Sequence, residues 1–555
     1  ADAWATLGHD ARAREETQKA FDLSAGLSRE DRLAVEGRYR ETAGEWGRAI
    51  EIYTALLAFF PDNVEYGLRL AAAQSTGGRG REALDTLAKL RGLPRPASED
   101  PRIDLTEAVV VQALGDFRRE QAAAERAAAK GSAHGARLLV ARARLLECYA
   151  LDRLGRIPEA ARAAEEARAI YAAAGDGGGL AQALNRIGGV SWNHGDLEKA
   201  RATWEEALAI RRRIGYRAGV SVSLHNLGLV RWEQGDVAGA RRNLEEGLAI
   251  DRELGDRPAV AVDLESIGGV LLDLGDLPGA RRAGEQAQAL SREVGDLTEA
   301  ALSLMRLAMV LHAEGDLQGA EARYREALLV LQERGARDYA ADGLFQLGEL
   351  HKARGDLAAA RKQHEEAQAI RAGFRGAFAM AKSRVALAGL AVEEGRPGEA
   401  EALLGPALAT FAAQKASDWE AAAQAVRARS RLDARGPREA RTALDRALVL
   451  SASSLSPHVR LAVAAAGGRV EAAEGRAGEA LRRLETALAQ AAKLGLVGLQ
   501  LELRLARGEV GLGSGRRGAA EDLASLAADA RARGFGLVAG KAERILGTGK
   551  PRGAP

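Results

Sequence analysis

Apolar and polar positions follow one another along this chain with the period of amphipathic helices, and the pattern recurs in long blocks. The stretch 185–215 reads NRIGGVSWNHGDLEKARATWEEALAIRRRIG, and closely similar stretches begin at His225 and Glu265. Each block holds two helical patterns separated by a Gly-Asp pair. Glycine permits the left-handed backbone that ends one helix, and aspartate can cap the next. Each block therefore predicts a helix–turn–helix unit.

Small residues mark the second helix of each block. Alanine stands five residues after the turn position and a second small residue seven further on, so both share one helix face and let a neighbouring helix approach closely. From Gly115 onward this pattern keeps a 40-residue spacing, with Arg435-Gly436 as a departure at one turn. The first alanines of these units stand at positions 160, 200, 240, 280, 320, 360, 400, 440, 480 and 520. We count 14 units, the first incomplete.

Three features depart from this regular pattern. Glu120 stands where an alanine is expected, which leaves the local register open, and Pro406 lies inside a second helix, which it should kink. The chain opens within a repeat, because Trp4 and Leu7 have the pattern of a first helix and Gly8 that of its turn. From this repeat phase we expect the chain to be cut from a longer protein.

The residues of one block resemble a known repeat. Leu227-Gly228, Gly235-Asp236, Ala240 and Gly247 resemble the pattern of the tetratricopeptide repeat (TPR). The 40-residue unit is similar to the long repeats of kinesin light chains and of many bacterial regulators. The resemblance implies an all-α TPR solenoid, a right-handed superhelix of antiparallel helix pairs whose inner surface is lined by the first helix of each pair.

The spacing divides the chain into four segments. We expect TPR units of irregular 34–40 spacing over 1–136, regular 40-residue units over 137–375, less regular units over 376–546 and a disordered tail over 547–555. The third segment ends in a predicted capping helix at Leu537–Leu546, because a solenoid needs a polar-faced end to stay soluble.

Composition and charge exclude several classes of protein. Apolar residues make up 47% of the chain and aromatic residues 4%, which suits closely packed helices. A net charge of +2 on 555 residues gives no global attraction to nucleic acid or an anionic membrane. No apolar run is long enough to span a bilayer, and the N-terminus lacks a signal pattern. The single cysteine, Cys148, excludes a disulfide framework. We therefore expect a cytoplasmic protein.

Motifs for catalysis or cofactor binding are not found in the sequence. The glycine-rich GLGSGRRG at 511–518 lacks a preceding strand, and its Gly515 is a repeat turn in phase. The eight histidines show no metal-ligand spacing, and neither a nucleophile elbow nor a kinase motif set is present. We predict no catalytic residues, no metal ligands and no cofactor, and hence a protein that is not an enzyme.

The TPR resemblance implies where a ligand would bind. In that family, positions ten, nine and three residues before the turn glycine face the inner groove. Amide and guanidinium groups there could hold peptide carbonyls and acidic side chains. The groove candidates are Asn185, Arg186, Trp192, His225, Asn226, Trp232, Glu265, Arg306, His312, Gln346 and Lys352. The matched Trp192 and Trp232 could equally pack between repeats. Asn226 and Arg306 are expected to be surface groups whose loss leaves stability nearly unchanged.

These observations predict a non-catalytic module that binds a peptide or protein in its concave groove, mainly over 137–375. Leu27–Asn63 resembles the C-terminal TPR regions of bacterial Ser/Thr protein kinases and winged-helix transcription regulators. That resemblance implies the sensor or docking arm of a signalling protein, with a kinase or DNA-binding domain upstream.

Two other functions stay open at this stage. One is a small-molecule sensor that holds its ligand inside the superhelix, which a pocket lined by Trp192, Trp232 and Phe345 would favour. The other is a passive scaffold that assembles through its convex face, which an exposed apolar stripe would mark.

Overall fold

The computed structural model describes Trp4, residues 10–374 and residues 376–548, and this part of the chain contains no β-strand. Its helices follow one another in antiparallel pairs joined by short turns, so the predicted all-α TPR solenoid is confirmed. The first eleven are α1 (Asp10–Asp22), α2 (Arg29–Thr42), α3 (Trp46–Phe59), α4 (Val64–Thr76), α5 (Gly80–Arg91), α6 (Pro101–Ala113), α7 (Phe117–Ala133), α8 (Arg137–Arg153), α9 (Ile157–Ala174), α10 (Gly177–His194) and α11 (Leu197–Arg213).

The solenoid continues with the same alternation of helices. These are α12 (Arg217–Glu233), α13 (Val237–Leu254), α14 (Arg257–Asp273), α15 (Leu277–Val294), α16 (Leu297–Glu314), α17 (Leu317–Glu333), α18 (Arg337–Arg354), α19 (Leu357–Phe374), α20 (Ala377–Glu393), α21 (Pro397–Ala413), α22 (Ser417–Arg435), α23 (Pro437–Ser451), α24 (Pro457–Ala473), α25 (Ala477–Leu494), α26 (Val497–Gly513), α27 (Ala519–Ala532) and α28 (Gly536–Thr548).

The corner between α12 and α13 shows how the sequence builds each pair. Gly235 has a φ of 88°, in the left-handed region that glycine favours. Asp236 then caps α13, because its Oδ1 accepts a hydrogen bond from the backbone N–H of Gly239 at 2.8 Å. A Cβ on Gly228 would lie 2.7 Å from Cγ of Leu244, so the two helices touch closely at this glycine. The predicted Gly-Asp corner and its small residues are confirmed.

The register around Glu120 is the regular one. Gly115 has the left-handed φ of the other corners, and Glu120 takes the buried position of the expected alanine. Its carboxyl group accepts a hydrogen bond from Nε2 of Gln112 at 2.6 Å. Burial raises the pKa of Glu120 to about 8, so the group binds a proton more readily than an exposed glutamate.

Helix α21 contains Pro406 within Pro397–Ala413, and the predicted kink at this proline stays a prediction. Another expectation for the last repeats is wrong. The alanine pattern slips in the last pair, where Ala519 is buried and Ala520 is exposed. The slip arises because Gly518, with a φ of 82°, extends the corner and delays the start of α27.

The chain ends fall partly outside the described residues. Leu7, Gly8 and residues 549–555 of the predicted tail are not among them. The last helix, α28, includes the predicted capping segment and ends at Thr548.

The chain divides into two compact units. The N-terminal unit comprises Ala1–Trp192 with Lys199–Leu224, and the C-terminal unit comprises Asn193–Glu198 with His225–Pro555. In the N-terminal unit each helix pair packs mainly on the next pair, with separate small cores such as the one around Leu87, Leu90 and Ile103.

The C-terminal unit has a second kind of packing, in which corners of early repeats contact later repeats. A Cβ on Gly315 would lie 2.8 Å from Cγ1 of Val497, and one on Gly536 would lie 2.2 Å from the backbone oxygen of Arg354. The backbone N–H of Gly376 donates to the oxygen of Asn193 at 2.6 Å. Within this unit the solenoid therefore coils until repeats about four and a half units apart meet.

Apolar side chains fill this contact between distant repeats. One core of the C-terminal unit brings Leu277 of α15 together with Leu484 of α25 and Leu496. Another joins Leu317 of α17 to Leu501 of α26 and Phe535. Burial of this apolar area stabilises the coil by excluding water from both partners.

Candidate functional site

In the N-terminal unit, aromatic and guanidinium groups alternate where the start of α7 meets α8 and α10. The guanidinium carbon of Arg186, in α10, lies 4.8 Å from the centroid of the Tyr149 ring, in α8. Tyr149 in turn meets Phe117 edge-on at 6.1 Å, and Arg153 lies over the Phe117 ring at 5.4 Å. We call Phe117, Tyr149, Arg153 and Arg186 the Arg186 face.

Arg186 differs from most arginines of this protein because its guanidinium group has no carboxylate partner among the described residues. Among the described residues, no carboxylate lies within ion-pair distance of its guanidinium group, and no hydrogen bond from it is found. The side chain is half-buried and held in place by the Tyr149 ring. A guanidinium group carries five N–H donors in a planar fork that matches a carboxylate. The guanidinium group of Arg186 can therefore accept an anionic oxygen ligand without breaking an ion pair of its own.

The other two candidates in this unit, Asn185 and Trp192, lie on the same helix as Arg186 and contact side chains of α11. The backbone oxygen of Asn185 accepts a hydrogen bond from Nε1 of Trp204 at 3.2 Å, and its side chain lies 3.5 Å from Nη1 of Arg211. The rings of Trp192 and Trp204 are tilted against each other at 6.1 Å between centroids. Trp192 is half-buried, so it combines packing with a surface-facing edge.

In the C-terminal unit, the candidates at the start of the predicted groove are half-buried. Nδ1 of His225 lies 2.8 Å from Oδ1 of Asp263, a residue of the next pair that is itself buried. Asn226 occupies the adjacent position and is also half-buried.

Arg306, in contrast with Arg186, forms an intramolecular ion pair with Glu265. It donates to Oε1 of Glu265 from Nη2 at 2.8 Å and from Nε at 3.1 Å. Its guanidinium carbon also lies 5.5 Å from the ring centroid of Trp232, whose Nε1 donates to Asp273. Trp232, Glu265 and Arg306 therefore form one packed group in which the charge of Arg306 is compensated.

His312, Gln346 and Lys352 come together at a cavity of about 350 Å³ inside the C-terminal unit. Nζ of Lys352 lies 3.0 Å from Oε2 of Glu349, which also lines the cavity. Burial opposes ionisation of Glu349, but Lys352 and the adjacent His364 outweigh it and hold the pKa of Glu349 well below its usual range. Burial lowers the pKa of His312 to about 4, so this imidazole is neutral at neutral pH.

Part of the cavity wall comes from repeats that lie beyond the predicted groove at 137–375. His458 of α24, Glu502 of α26 and Phe535 are in this part, and Tyr324 of α17 also lines the cavity. Tyr324 and His364 stand between the two small positions, where most other second helices have an apolar residue, and these polar groups in successive repeats are the signal that could have drawn attention to the region. The contribution of α24 and α26 depends on the coil of the unit, which no local pattern encodes.

Two other kinds of site are absent from the described residues. Within residues 10–374 and 376–548, no group of His, Cys, Asp and Glu side chains has the arrangement of a metal site. Over the same described ranges, no helix has the length and apolarity needed to cross a membrane.

Three solved structures, among others, have a partly similar arrangement of helices, at low sequence identity and TM-score. A Rap protein in complex with competence and sporulation factor is 16% identical, with a TM-score of 0.49 over 62% of this chain and 99% of that one. Aspartyl phosphate phosphatase F from Bacillus subtilis is 13% identical, with a TM-score of 0.44 over 63% of this chain and 96% of that one. BtubC from P. vanneervenii is 23% identical, with a TM-score of 0.30 over 39% and 91%. Values this low do not carry a function from one protein to another.

Sequence families give the more direct comparison. No curated protein matches this chain. Residues 259–523 match the family described as the MalT-like TPR region, and residues 179–253 and 222–293 match the tetratricopeptide repeat itself. Together these matches run from residue 179 to residue 523, more than half of the chain, over the same repeats that the helix pairs define. The chain belongs to the tetratricopeptide repeat family.

Proposed function

We propose that this protein is a non-catalytic interaction module that binds an extended segment of a partner protein at the Arg186 face. The segment carries a carboxylate, from an acidic side chain or a free C-terminus, that docks on the guanidinium group of Arg186. Backbone carbonyls of the same segment would accept hydrogen bonds from neighbouring polar groups, and its apolar side chains would pack on Tyr149 and Trp192.

The observation that supports this proposal is the state of Arg186. A half-buried guanidinium group that is fixed on an aromatic ring has already lost much of its side-chain freedom, so a ligand pays less entropy to bind it. Arg186 acts electrostatically on the buried Glu120, but no carboxylate in the described part of the chain lies within ion-pair distance of its guanidinium group, which leaves its N–H donors for a partner. A charge-assisted, bidentate contact to a carboxylate is among the stronger hydrogen bonds that proteins make.

A selection from a random peptide library displayed on phage tests the proposal. We expect the wild-type chain to enrich peptides that contain Asp, Glu or a free carboxyl terminus, and Arg186→Ala to lose that enrichment. The matched control is Arg162→Ala, which removes an exposed arginine of α9 in the same unit. Enrichment of neutral or basic peptides, or equal enrichment of acidic peptides by Arg186→Ala, would contradict the proposal.

We further propose that the chain acts in the cytoplasm as the sensor or docking arm of a larger bacterial signalling protein. The support is the likeness of Leu27–Asn63 to repeats that accompany kinase and DNA-binding domains. The genomic reading frame upstream of Ala1 tests this directly, because a kinase or winged-helix domain is expected there and an unrelated enzyme domain would contradict it.

A further inference from the structure

The cavity of the C-terminal unit has a wall built from distant repeats. Helices α14, α16, α17 and α18 form one side, and α24, α26 and α28 form the other. Because these helices belong to repeats that meet only through the coil of the unit, the cavity exists only while the coil is intact. Its volume of about 350 Å³ is in the range of small-molecule sites.

The charges that line the cavity do not balance. Asp273, Glu349 and Glu502 contribute three carboxylates, and Lys352 is the one Lys or Arg side chain in the lining. Lys352 is paired with Glu349 at 3.0 Å, and the more distant Glu502 also helps to raise the pKa of Lys352. In the described part of the chain, no Lys or Arg lies within ion-pair distance of Asp273 or Glu502. The neutral His312 adds no positive charge at neutral pH, so the carboxylates of the lining outnumber its cations.

Neutral polar groups in the same wall also lack partners. Tyr324 has no exposed surface, and its hydroxyl group makes no hydrogen bond to any described residue. Nε2 of His458 is buried and equally without a hydrogen-bond partner among the described residues. A buried polar group left without a hydrogen bond destabilises the fold, so its presence beside a cavity points to a ligand that completes it.

We propose that this cavity binds a compact organic cation, a primary amine joined to a flat apolar body. The ammonium group would lie toward the carboxylates of Asp273 and Glu502. The apolar body would pack on Leu272, Leu499 and Phe535, and a donor on it would reach Tyr324 or His458. This site is separate from the Arg186 face, which lies in the other unit and favours the opposite charge.

Three indole compounds of nearly equal size test the charge and the location. Isothermal titration of the full chain with tryptamine, with the neutral alcohol tryptophol and with the anion indole-3-propanoate compares a cation, a neutral molecule and an anion. We expect tryptamine to bind, tryptophol to bind about tenfold more weakly and the anion not to bind. Absence of tryptamine binding, or equal binding of tryptamine and tryptophol, would overturn the proposal.

Variants locate the binding site. Glu502→Gln is expected to weaken tryptamine about tenfold and to leave tryptophol unchanged, because only the cation loses an ion pair. Tyr324→Phe is expected to weaken both compounds, and it reports on the site even if one charge variant folds poorly. Glu485→Gln, at an exposed position of α25, is the matched control and should bind like the wild type. Unchanged tryptamine binding by both Glu502→Gln and Tyr324→Phe would place the compound elsewhere and overturn the proposal.

Discussion

The guanidinium group of Arg186 rests on the ring of Tyr149, 4.8 Å from its centroid, without a carboxylate partner among the described residues. Arg306 stands in the same register of another repeat and is instead bonded to Glu265. The difference lies in the repeat before each arginine. Glu265 stands 41 residues before Arg306, and the equivalent residue before Arg186 is the buried Leu145. The same repeat position is therefore ion-paired in one unit and without a carboxylate partner in the other.

The ion pair of Arg306 leads to a prediction that differs from the sequence expectation. Arg306→Ala removes the cation that pairs with Glu265. Glu265 then faces the nearby Glu299 without a compensating charge. In the wild type, burial and the charge of Glu265 already raise the pKa of Glu299 to about 8. We expect the free energy of unfolding to fall by roughly 1–3 kcal/mol, measured by urea denaturation. Arg186→Ala is the comparison, since it breaks no ion pair and should cost about 1 kcal/mol or less. An Arg306→Ala variant as stable as Arg186→Ala would show that this ion pair contributes nothing to the fold.

The contact between distant repeats can be tested at one glycine. A Cβ on Gly536 would lie 2.2 Å from the oxygen of Arg354, so Gly536→Ala must push α28 away from the end of α18. We expect faster hydrogen–deuterium exchange in Arg337–Arg354 and in α28, and a stability loss of roughly 1–3 kcal/mol.

Gly540→Ala is the control for the same helix, because the nearest atom to a Cβ there is the flexible end of Arg544 at 3.6 Å. Replacement of a helical glycine by alanine at such an open position should stabilise by about 0.5–1 kcal/mol. If Gly536→Ala exchanged like Gly540→Ala, the end of α18 and the start of α28 would not be in contact in solution.

Glu120 predicts a pH dependence of stability. Its pKa of about 8 in the folded state lies above the ordinary value near which the unfolded chain titrates. The unfolded state therefore releases its proton first, and the stability associated with this group is lost as the pH rises from about 4.5 to 8.

The variant Glu120→Gln removes this titration and keeps a group that can accept from Gln112. At pH 8 we expect the variant to unfold at a higher temperature than the wild type, with a free energy of unfolding that is larger by a few kcal/mol, on the order of the pKa shift. At pH 4 we expect the two proteins to differ little. Glu51→Gln, at an exposed position of α3 in the same unit, should show no such difference. Parallel melting curves of wild type and Glu120→Gln from pH 4 to pH 8 would contradict the assigned shift.

The sequence predicts this fold well where the information is local. The Gly235-Asp236 corner and the buried Ala240 follow from backbone and capping preferences that act within one repeat. Ala520 was placed wrongly because Gly518 forms an extra left-handed residue that composition alone does not distinguish from an ordinary glycine.

The candidate sites needed information that is not local. Glu502 and Phe535 reach the cavity only because the unit coils until distant repeats meet, and the angle between successive repeats is set by many small packing contacts. The contrast between Arg186 and Arg306 could have been read from the sequence, since it depends on Leu145 and Glu265 in the preceding repeats. Which of the two arginines forms an ion pair is therefore encoded one repeat away from each.

A double-mutant cycle tests the central claim most directly. The binding of a selected acidic peptide and of its Asp→Asn or C-terminal amide form would be measured by fluorescence anisotropy against wild type and Arg186→Ala. If the guanidinium group contacts the carboxylate, the two changes are not additive, and we expect a coupling free energy of about 1–3 kcal/mol. Additive losses would mean that Arg186 and the peptide carboxylate do not meet, and the Arg186 face would not be the binding site.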